Sequence, residues 1–245
     1  MDQTLTTQVK TSLASSSFPL LPSQSLLASL LSSTRSPSLP LLVSLAKSNI
    51  LSSSITAPSL LDPSVPAFPP NLLSAEVKEA RLAVDVPLQI VDIEDLSRSR
   101  WEQIEELERV ERGETKRGRA VVRVENEEED QERQRATQGA GGGSGAPAES
   151  KKAGANATHR VTFQDRAGTR LYGLELVRMQ RLAVGLTKIG EKVLIKRGAV
   201  VARGTVLLEP ETCLFLGGYV EEEERRWATS RLKALREAVG ASEPR

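Results

Sequence analysis

The residue types that most often carry out chemistry are scarce in this sequence. It contains one histidine, His159, and one cysteine, Cys213, which are too few for a structural zinc site. A nucleophilic site would depend on His159, but this residue follows a long glycine-rich stretch, where a catalytic base is hard to hold in place. The glycine-rich motifs that bind nucleotide phosphates are absent from the sequence. We therefore expect no enzymatic activity, no cofactor, no metal and no small-molecule substrate.

Three carboxylates lie close together in the chain, at Asp92, Glu94 and Asp95. Paired carboxylates can serve general acid and base catalysis. These three stand at the end of a predicted strand and are followed by Arg98 and Arg100. Solvated acids or surface ion pairs are therefore the favoured interpretation.

Composition narrows the class of protein. The 245 residues carry a formal net charge of +1, so the whole chain has no strong attraction to nucleic acid or to an acidic membrane. No apolar run reaches about 18 residues, so no membrane span is expected. A single cysteine fits a reducing compartment. The serine-rich start resembles a transit peptide, but Arg35 is the only arginine before residue 75, and a mitochondrial location is the minor alternative.

The first 75 residues are predicted to form a small helical bundle that ends in a proline-rich linker. Leu5, Val9 and Leu13 recur every four residues, which places them on one helical face. Ser23 can cap a second helix, and Pro40 can stand in the first turn of a third. The alternative is a disordered Ser/Pro-rich arm.

Residues 76–220 are predicted to form one domain. A strand at Leu88–Ile93 comes first, and a helix follows whose start is marked by the capping-box pair Ser99 and Glu102. Trp101, Ile104, Leu107 and Val110 are expected on one side of this helix, and Gly113 at its end. Residues 111–158 then form a long flexible insertion, acidic at first and rich in glycine later, which is either functional or a neutral expansion.

After the insertion the pattern becomes that of β-strands. Residues 160–176 predict a hairpin with a turn at Asp165–Gly168. Further short strands follow, and Gly204 predicts a bulge or bend within one of them. Five or six short strands indicate a small barrel. Residues 221–245 are predicted to carry a C-terminal helix, with acids in its first turn and bases later. The fold class is therefore α+β.

The barrel segment is more basic than the whole chain. Residues 159–220 contain ten basic and five acidic side chains, so this segment could bind a nucleic-acid backbone. Proteins that bind single strands also need aromatic platforms, and only four aromatic residues are available: Phe163, Tyr172, Phe215 and Tyr219. The sequence argues against strong independent binding and leaves room for weak or indirect DNA contact.

Three segments together resemble a known family. They are IGEKVLI at Ile189–Ile195, RGTVLLEP at Arg203–Pro210 and LGG at Leu216–Gly218. The pattern resembles the N-terminal region of the family of RecQ-mediated genome instability protein 1, in its fungal form, over about residues 70–225. The resemblance implies a three-helix bundle packed on a five- to six-stranded OB-fold barrel, with the insertion between the first two barrel strands.

The resemblance also implies a function and partners. Members of the family bind topoisomerase III, work with a RecQ-family helicase to dissolve double Holliday junctions in the nucleus, and use the insertion to modulate the topoisomerase gate. We expect this chain to be such a scaffold subunit. The alternative is an autonomous single-stranded nucleic-acid-binding protein, and a hydrolase is a weaker third possibility.

Two sets of partner-binding residues are expected. The only apolar, β-prone stretch in the insertion is predicted to anchor it on the partner, although it could equally be another barrel strand: Ala120, Val121, Val122, Arg123 and Val124. Lys192 matches the lysine of the family's Gly-x-Lys strand motif, and we expect it on the face that meets the partner. The alternative for Lys192 is an ordinary exposed strand lysine.

Overall fold

The computed structural model describes residues 2–33, 38–113 and 157–240. The helices within these residues are α1 (Asp2–Ser15), α2 (Gln24–Ser33), α3 (Leu39–Ser52), α4 (Arg100–Glu111) and α5 (Glu221–Ala238). The strands are β1 (Ala80–Arg81), β2 (Val86–Asp95), β3 (His159–Gln164), β4 (Arg170–Glu175), β5 (Lys192–Ile195), β6 (Val200–Ala202), β7 (Thr205–Leu208) and β8 (Cys213–Gly217). In the part of the chain covered by these ranges, no helix is long and apolar enough to cross a membrane.

Helices α1, α2 and α3 form the helical bundle that leucine spacing predicts. Their apolar faces meet in one core, in which Leu13, Ala46 and Ile50 are fully buried. Ser23 caps α2, since its hydroxyl accepts a hydrogen bond of 3.0 Å from the Leu26 amide. The prediction of a helical bundle is therefore confirmed, and the alternative of a disordered Ser/Pro-rich arm is wrong.

The eight strands form one curled sheet in the order β1-β6-β7-β4-β3-β2-β5-β8. Strand β2 is long enough to pair with β5 over residues 86–89 and with β3 over residues 89–95. A register shift between Ile90 and Asp92 lies within its pairing with β3. Strands β7 and β8 lie toward opposite ends of this order, yet only residues 209–212 separate them in sequence. This short connection curls the sheet into the half-barrel around which the fold is built.

The strand count exceeds the expected five or six, partly because of Gly204. Of the predicted bulge or sharp bend at Gly204, the bend is confirmed: it is a hairpin turn in which Arg203 (φ 48°) and Gly204 (φ 79°) both adopt left-handed backbone conformations. Positive φ at both central residues is the geometry of a tight β-hairpin. Val201 therefore pairs with Val206, and the segment divides into β6 and β7.

Alternate side chains of the strands fill the barrel core. Val161 and Phe163 of β3 point inward and are almost fully buried. Gly173 of β4 leaves room for this packing, because a Cβ at that position would lie 2.5 Å from the Phe163 ring. The hairpin predicted for residues 160–176 is confirmed by the pairing of β3 with β4.

Helix α4 begins as expected but does not bury all four predicted residues. The Ser99–Glu102 capping box is present, and Gly113 (φ 74°) follows the end of the helix. Ile104 is buried against α5, whereas Trp101 is 55 % exposed. Residues repeating every three positions drift around a helix of 3.6 residues per turn, so Trp101 and Val110 lie on opposite sides.

Candidate functional site at the barrel rim

The start of α4, which leads into the insertion, and the chain that leaves the insertion are held at one rim of the barrel. Asp95 at the end of β2 pairs with His159 at the start of β3, and the Leu96 amide donates a hydrogen bond of 2.8 Å to the Thr158 carbonyl. Gln103 in the first turn of α4 donates 2.9 Å to the Asp95 carbonyl. The segments that lead into and out of the insertion therefore rest on the same strand end, which we call the insertion rim (residues 95–96, 158–159 and 175–177).

Helix α5 holds α4 in place beside this rim. Ile104 of α4 packs against Leu232 and Leu235 of α5. Arg236 of α5 forms an ion pair of 2.7 Å with Glu108. The acidic face of α4 is thus partly engaged in structural contacts.

The buried carboxylate of Glu175 stabilises the insertion rim through several hydrogen bonds. Glu175 at the end of β4 accepts hydrogen bonds from the amide of His159 (3.0 Å), its Nδ1 (2.9 Å), the amide of Met179 (2.6 Å) and the guanidinium of Arg178 (2.5 Å). The side chains of His159 and Glu175 are 2 % and 1 % exposed. A histidine enclosed in this way cannot reach a substrate, so we assign it a structural role.

Cys213 and the carboxylates of β2 also have structural surroundings. Burial raises the pKa of the Cys213 thiol to about 12, which removes it as a nucleophile at neutral pH. Glu94 is paired with Arg100 and Arg160, and Asp92 accepts a hydrogen bond of 2.6 Å from the Trp227 indole. Across the residues that the structure describes, no group of three or more potential ligands could hold a metal ion.

The rim presents apolar side chains to solvent. Leu96, Leu176 and Val177 are 45 %, 56 % and 48 % exposed, and Trp101 stands on the adjacent first turn of α4. The amides of Leu176 and Val177 both donate hydrogen bonds to the Leu208 carbonyl, at 3.0 and 3.4 Å, which ties this edge to the end of β7. An exposed apolar patch on a protein surface is typical of a protein-binding site. Sequence reasoning missed this edge, although two consecutive apolar residues directly after an alternating strand are a usable signal.

Lys192 is not on an exposed face, and that prediction was wrong. Its side chain is fully buried, and Nζ donates hydrogen bonds of 2.7 Å to the carbonyl oxygens of Ser53 and Gly190. The alternative of an ordinary exposed lysine is wrong as well. The reason is that the end of the helical bundle covers the outer side of β5, a contact that strand alternation does not reveal.

A second buried polar residue completes this junction. Gln89, opposite Lys192 in the β2–β5 register, accepts a hydrogen bond of 2.7 Å from the Ile55 amide and donates one of 2.6 Å to Glu223 of α5. Burial lowers the pKa of Lys192 to about 8, and the charge of Glu223 opposes this shift. The bundle, the barrel and α5 are therefore joined through two side chains, which we call the polar junction.

The outer side of β3 and β4 carries a different set of groups. The Arg160 guanidinium lies over the Tyr172 ring, 5.2 Å from its centroid, and Arg170 is exposed nearby on β4. The predicted anchor Ala120–Val124 lies outside the described residues, so its role stays a prediction.

The chain is similar in sequence to one family model and to one characterised protein. A family model described as RMI1, N-terminal OB-fold domain, matches residues 68–231. RecQ-mediated genome instability protein 1 of Schizosaccharomyces pombe is 28 % identical over 161 residues. That similarity covers 64 % of this chain and 66 % of the relative, just under two thirds of its length.

Proposed function

Because this chain belongs to the family described as RMI1, N-terminal OB-fold domain, we propose that it is a non-catalytic scaffold subunit acting with topoisomerase III and a RecQ-family helicase in the nucleus. In general terms, the family match and the relative support an OB-fold protein that acts in genome stability. In the proposed role it promotes dissolution of double Holliday junctions by acting on the topoisomerase gate.

The observation that carries this proposal is the construction of the insertion rim. A segment that acts on a moving partner needs a fixed base. Here the start of α4 and the chain that leaves the insertion both rest on the end of β2, and the far end of α4 is held on α5 by the Glu108–Arg236 ion pair. Beside this base, Leu96, Leu176 and Val177 offer exposed apolar surface to a partner. A flexible segment loses entropy when it docks, so apolar contacts at its base offset part of that loss.

The proposed mechanism is differential contact with two gate states. A ligand shifts a conformational equilibrium only by binding one state more tightly than the other. We propose that the rim binds the topoisomerase in either state, whereas the insertion, anchored through Ala120–Val124, contacts one state more favourably. Lys192 contributes by holding the bundle on the barrel, since its buried side chain touches no outside molecule in this conformation.

Deleting residues 126–157 and closing the gap with a short Gly/Ser bridge tests the proposal. The barrel should stay folded, because α4 stays packed on α5, His159 stays paired with Asp95, and loop-closure entropy changes slowly with length. Co-purification with topoisomerase III should persist in part, since the rim is intact. Junction dissolution should fall to the level of topoisomerase plus helicase alone.

Two outcomes contradict the proposal. If the deleted chain retains full stimulation of dissolution, the insertion is a neutral expansion. If the unchanged protein fails to co-purify with topoisomerase III, the scaffold role itself is wrong. Unfolding of the deleted chain, followed by circular dichroism, would instead show that the insertion is structural.

The rival function, an autonomous single-strand nucleic-acid-binding protein, finds less support. Tight binding to single strands uses several stacked aromatic side chains. On the outer side of β3 and β4, Tyr172 is the one aromatic residue exposed among those described. Submicromolar affinity of the protein alone for single-stranded DNA at physiological salt would favour this rival.

A further inference from the structure

We propose that the insertion rim binds a basic amphipathic helix of a protein partner. This contact rests on the proposed scaffold function and specifies the chemistry of the partner segment that docks there. Two features of the described residues support it. One is the spacing of the exposed apolar side chains, and the other is the sign of the charges around them.

The exposed apolar side chains of the rim lie in a row across three strands. The Leu96 amide donates to the carbonyl of Thr158, which directly precedes β3, and Leu176 directly follows β4. Leu96 and Leu176 are therefore two strand spacings apart, about 10 Å. The neighbouring side chains of His159 and Glu175 are buried, so strand alternation points Thr158 and Leu176 to the outer side.

This spacing matches one side of an α-helix. Residues seven positions apart on a helix are separated by about 10 Å along its axis. A helix that crosses the three strand ends can place one apolar side chain beside Leu96 and another beside Leu176 and Val177, which are the anchors that amphipathic helices use. An extended peptide fits less well, because the side chains on one of its sides repeat about every 7 Å.

The surroundings of this row are acidic. Residues 94–111, 158–160, 175–178 and 208–212 contain ten acidic and five basic side chains. The basic side chains that border the rim in sequence are all paired with carboxylates: Arg98, Arg100, Arg160 and Arg178. The excess charge next to the row is therefore negative, and the positive charges are already compensated.

Two of these acids lie beside the row without an ion pair to any residue in the described ranges, namely Glu105 and Glu209. Glu105 is one turn after the exposed Trp101, on the same side of α4. Glu209 directly follows Leu208, whose carbonyl accepts the amide of Leu176. Lysine or arginine side chains on the polar side of a docked helix can pair with both carboxylates.

The same charges disfavour two other occupants. A nucleic acid would bring its phosphates against an acidic surface. A second copy of this chain, in a symmetric contact, would bring the same acids against their own counterparts. A basic helix is the occupant whose apolar side fits the row and whose charge is opposite to that of the rim.

A labelled 14-residue helix of lysine and leucine, with the leucines on one side, is the probe for this contact. Fluorescence anisotropy with the full chain should show binding that weakens as NaCl rises from 50 to 500 mM. The same helix with glutamate in place of lysine should bind at least tenfold more weakly. A lysine and leucine peptide of equal composition, with the leucines spread around the helix, should bind about fivefold more weakly.

Two double variants with the same change in net charge locate the site. Glu105→Lys with Glu209→Lys should weaken binding of the lysine and leucine helix about tenfold at 50 mM NaCl. Glu76→Lys with Glu79→Lys, at exposed positions before β1, should weaken it less than twofold. Thermal unfolding shows whether the fold is retained. If Glu209→Lys lowers the thermal midpoint, Glu105→Lys alone should weaken binding about threefold.

The inference is overturned if both double variants bind the probe alike, or if the glutamate helix binds as tightly as the lysine helix. Co-purification with topoisomerase III separates this result from the scaffold role. If the unchanged protein and both double variants retain the topoisomerase equally from 50 to 500 mM NaCl, the basic-helix contact is wrong and the scaffold role stands. If the unchanged protein binds the lysine helix selectively but does not retain the topoisomerase, the contact is upheld and the scaffold role is wrong.

Discussion

The ammonium group of Lys192 donates a hydrogen bond of 2.7 Å to the carbonyl oxygen of Ser53, which lies 139 residues earlier in the chain. This bond joins a barrel strand to the end of the helical bundle. Gln89 strengthens the same junction by linking Ile55 to Glu223 of α5. Stability of the bundle, the barrel and α5 should therefore be coupled through this polar junction.

Replacing Lys192 by Met should lower the free energy of unfolding by about 2 kcal/mol at pH 7, because two buried carbonyl oxygens lose their donor. The sequence interpretation predicts the opposite, a nearly unchanged thermal midpoint with weaker topoisomerase association. Urea unfolding followed by circular dichroism distinguishes them, with Lys78→Met as an exposed control. Equal stability of both variants would show that the junction contributes nothing.

The contribution of Lys192 should depend on pH in a defined direction. Its pKa is about 8 in the folded protein and 10.5 for the ordinary side chain, so between these values the unfolded chain binds more protons. Stability from this residue therefore rises as pH increases from about 8 to 10.5. The measurement is the difference in unfolding free energy between the unchanged protein and Lys192→Met at each pH.

Taking this difference also removes the effect of Cys213. Its pKa is raised to about 12 in the folded protein, so its contribution falls as pH rises above the ordinary value of 9.0. Both chains contain Cys213, and its effect cancels. A difference that stays flat or decreases from pH 8 to 10.5 would contradict the assignment to Lys192.

The glycine pair at the end of β8, Gly217 and Gly218, offers a matched test of the contact between barrel and bundle. Both residues have positive φ, 85° for Gly217 and 80° for Gly218. A Cβ on Gly217 meets nothing within 4 Å, whereas one on Gly218 lies 2.4 Å from the Leu51 carbonyl oxygen. Gly217→Ala should cost about 1 kcal/mol from backbone strain alone. Gly218→Ala should cost at least 1 kcal/mol more, measured by urea unfolding, and equal losses would show that the close approach is unimportant.

The buried carboxylate at the rim should be sensitive to a neutral replacement. In Glu175→Gln the new amide group faces donors from His159, Met179 and Arg178, so we expect a loss of about 3 kcal/mol in unfolding free energy. Glu211→Gln, at an exposed position, should change stability by less than about 0.5 kcal/mol. A Glu175 variant as stable as this control would refute the role given to the carboxylate.

Two matched substitutions test whether partner binding depends on the apolar side chains of the insertion rim or on exposed apolar surface in general. Leu176→Asp should weaken co-purification with topoisomerase III at least tenfold while shifting the thermal midpoint by only a few degrees, because Leu176 is already 56 % exposed. Leu214→Asp, with similar exposure on β8, is the control and should bind normally. If both variants bind alike, the rim is not the docking surface.

Local sequence patterns were enough to predict several helices and strands of this protein. Leucine spacing and Ser23 predicted the helices of the bundle, the Ser99–Glu102 pair predicted the start of α4, and alternation predicted the β3–β4 hairpin. These features depend on hydrogen bonds and side-chain periodicity within a few residues, so they can be seen without knowledge of the rest of the chain.

Tertiary structure alone decided the surroundings of Lys192, Glu175 and Leu176. Lys192 is buried where the end of the helical bundle packs on β5, and its Nζ donates a hydrogen bond to Ser53 there. Glu175 and Leu176 are neighbours in sequence, yet the first accepts hydrogen bonds from the amides of His159 on another strand and of Met179 in the following loop, and the second faces solvent. Burial is set by which elements cover a strand, and that depends on contacts between residues far apart in the chain rather than on local preference.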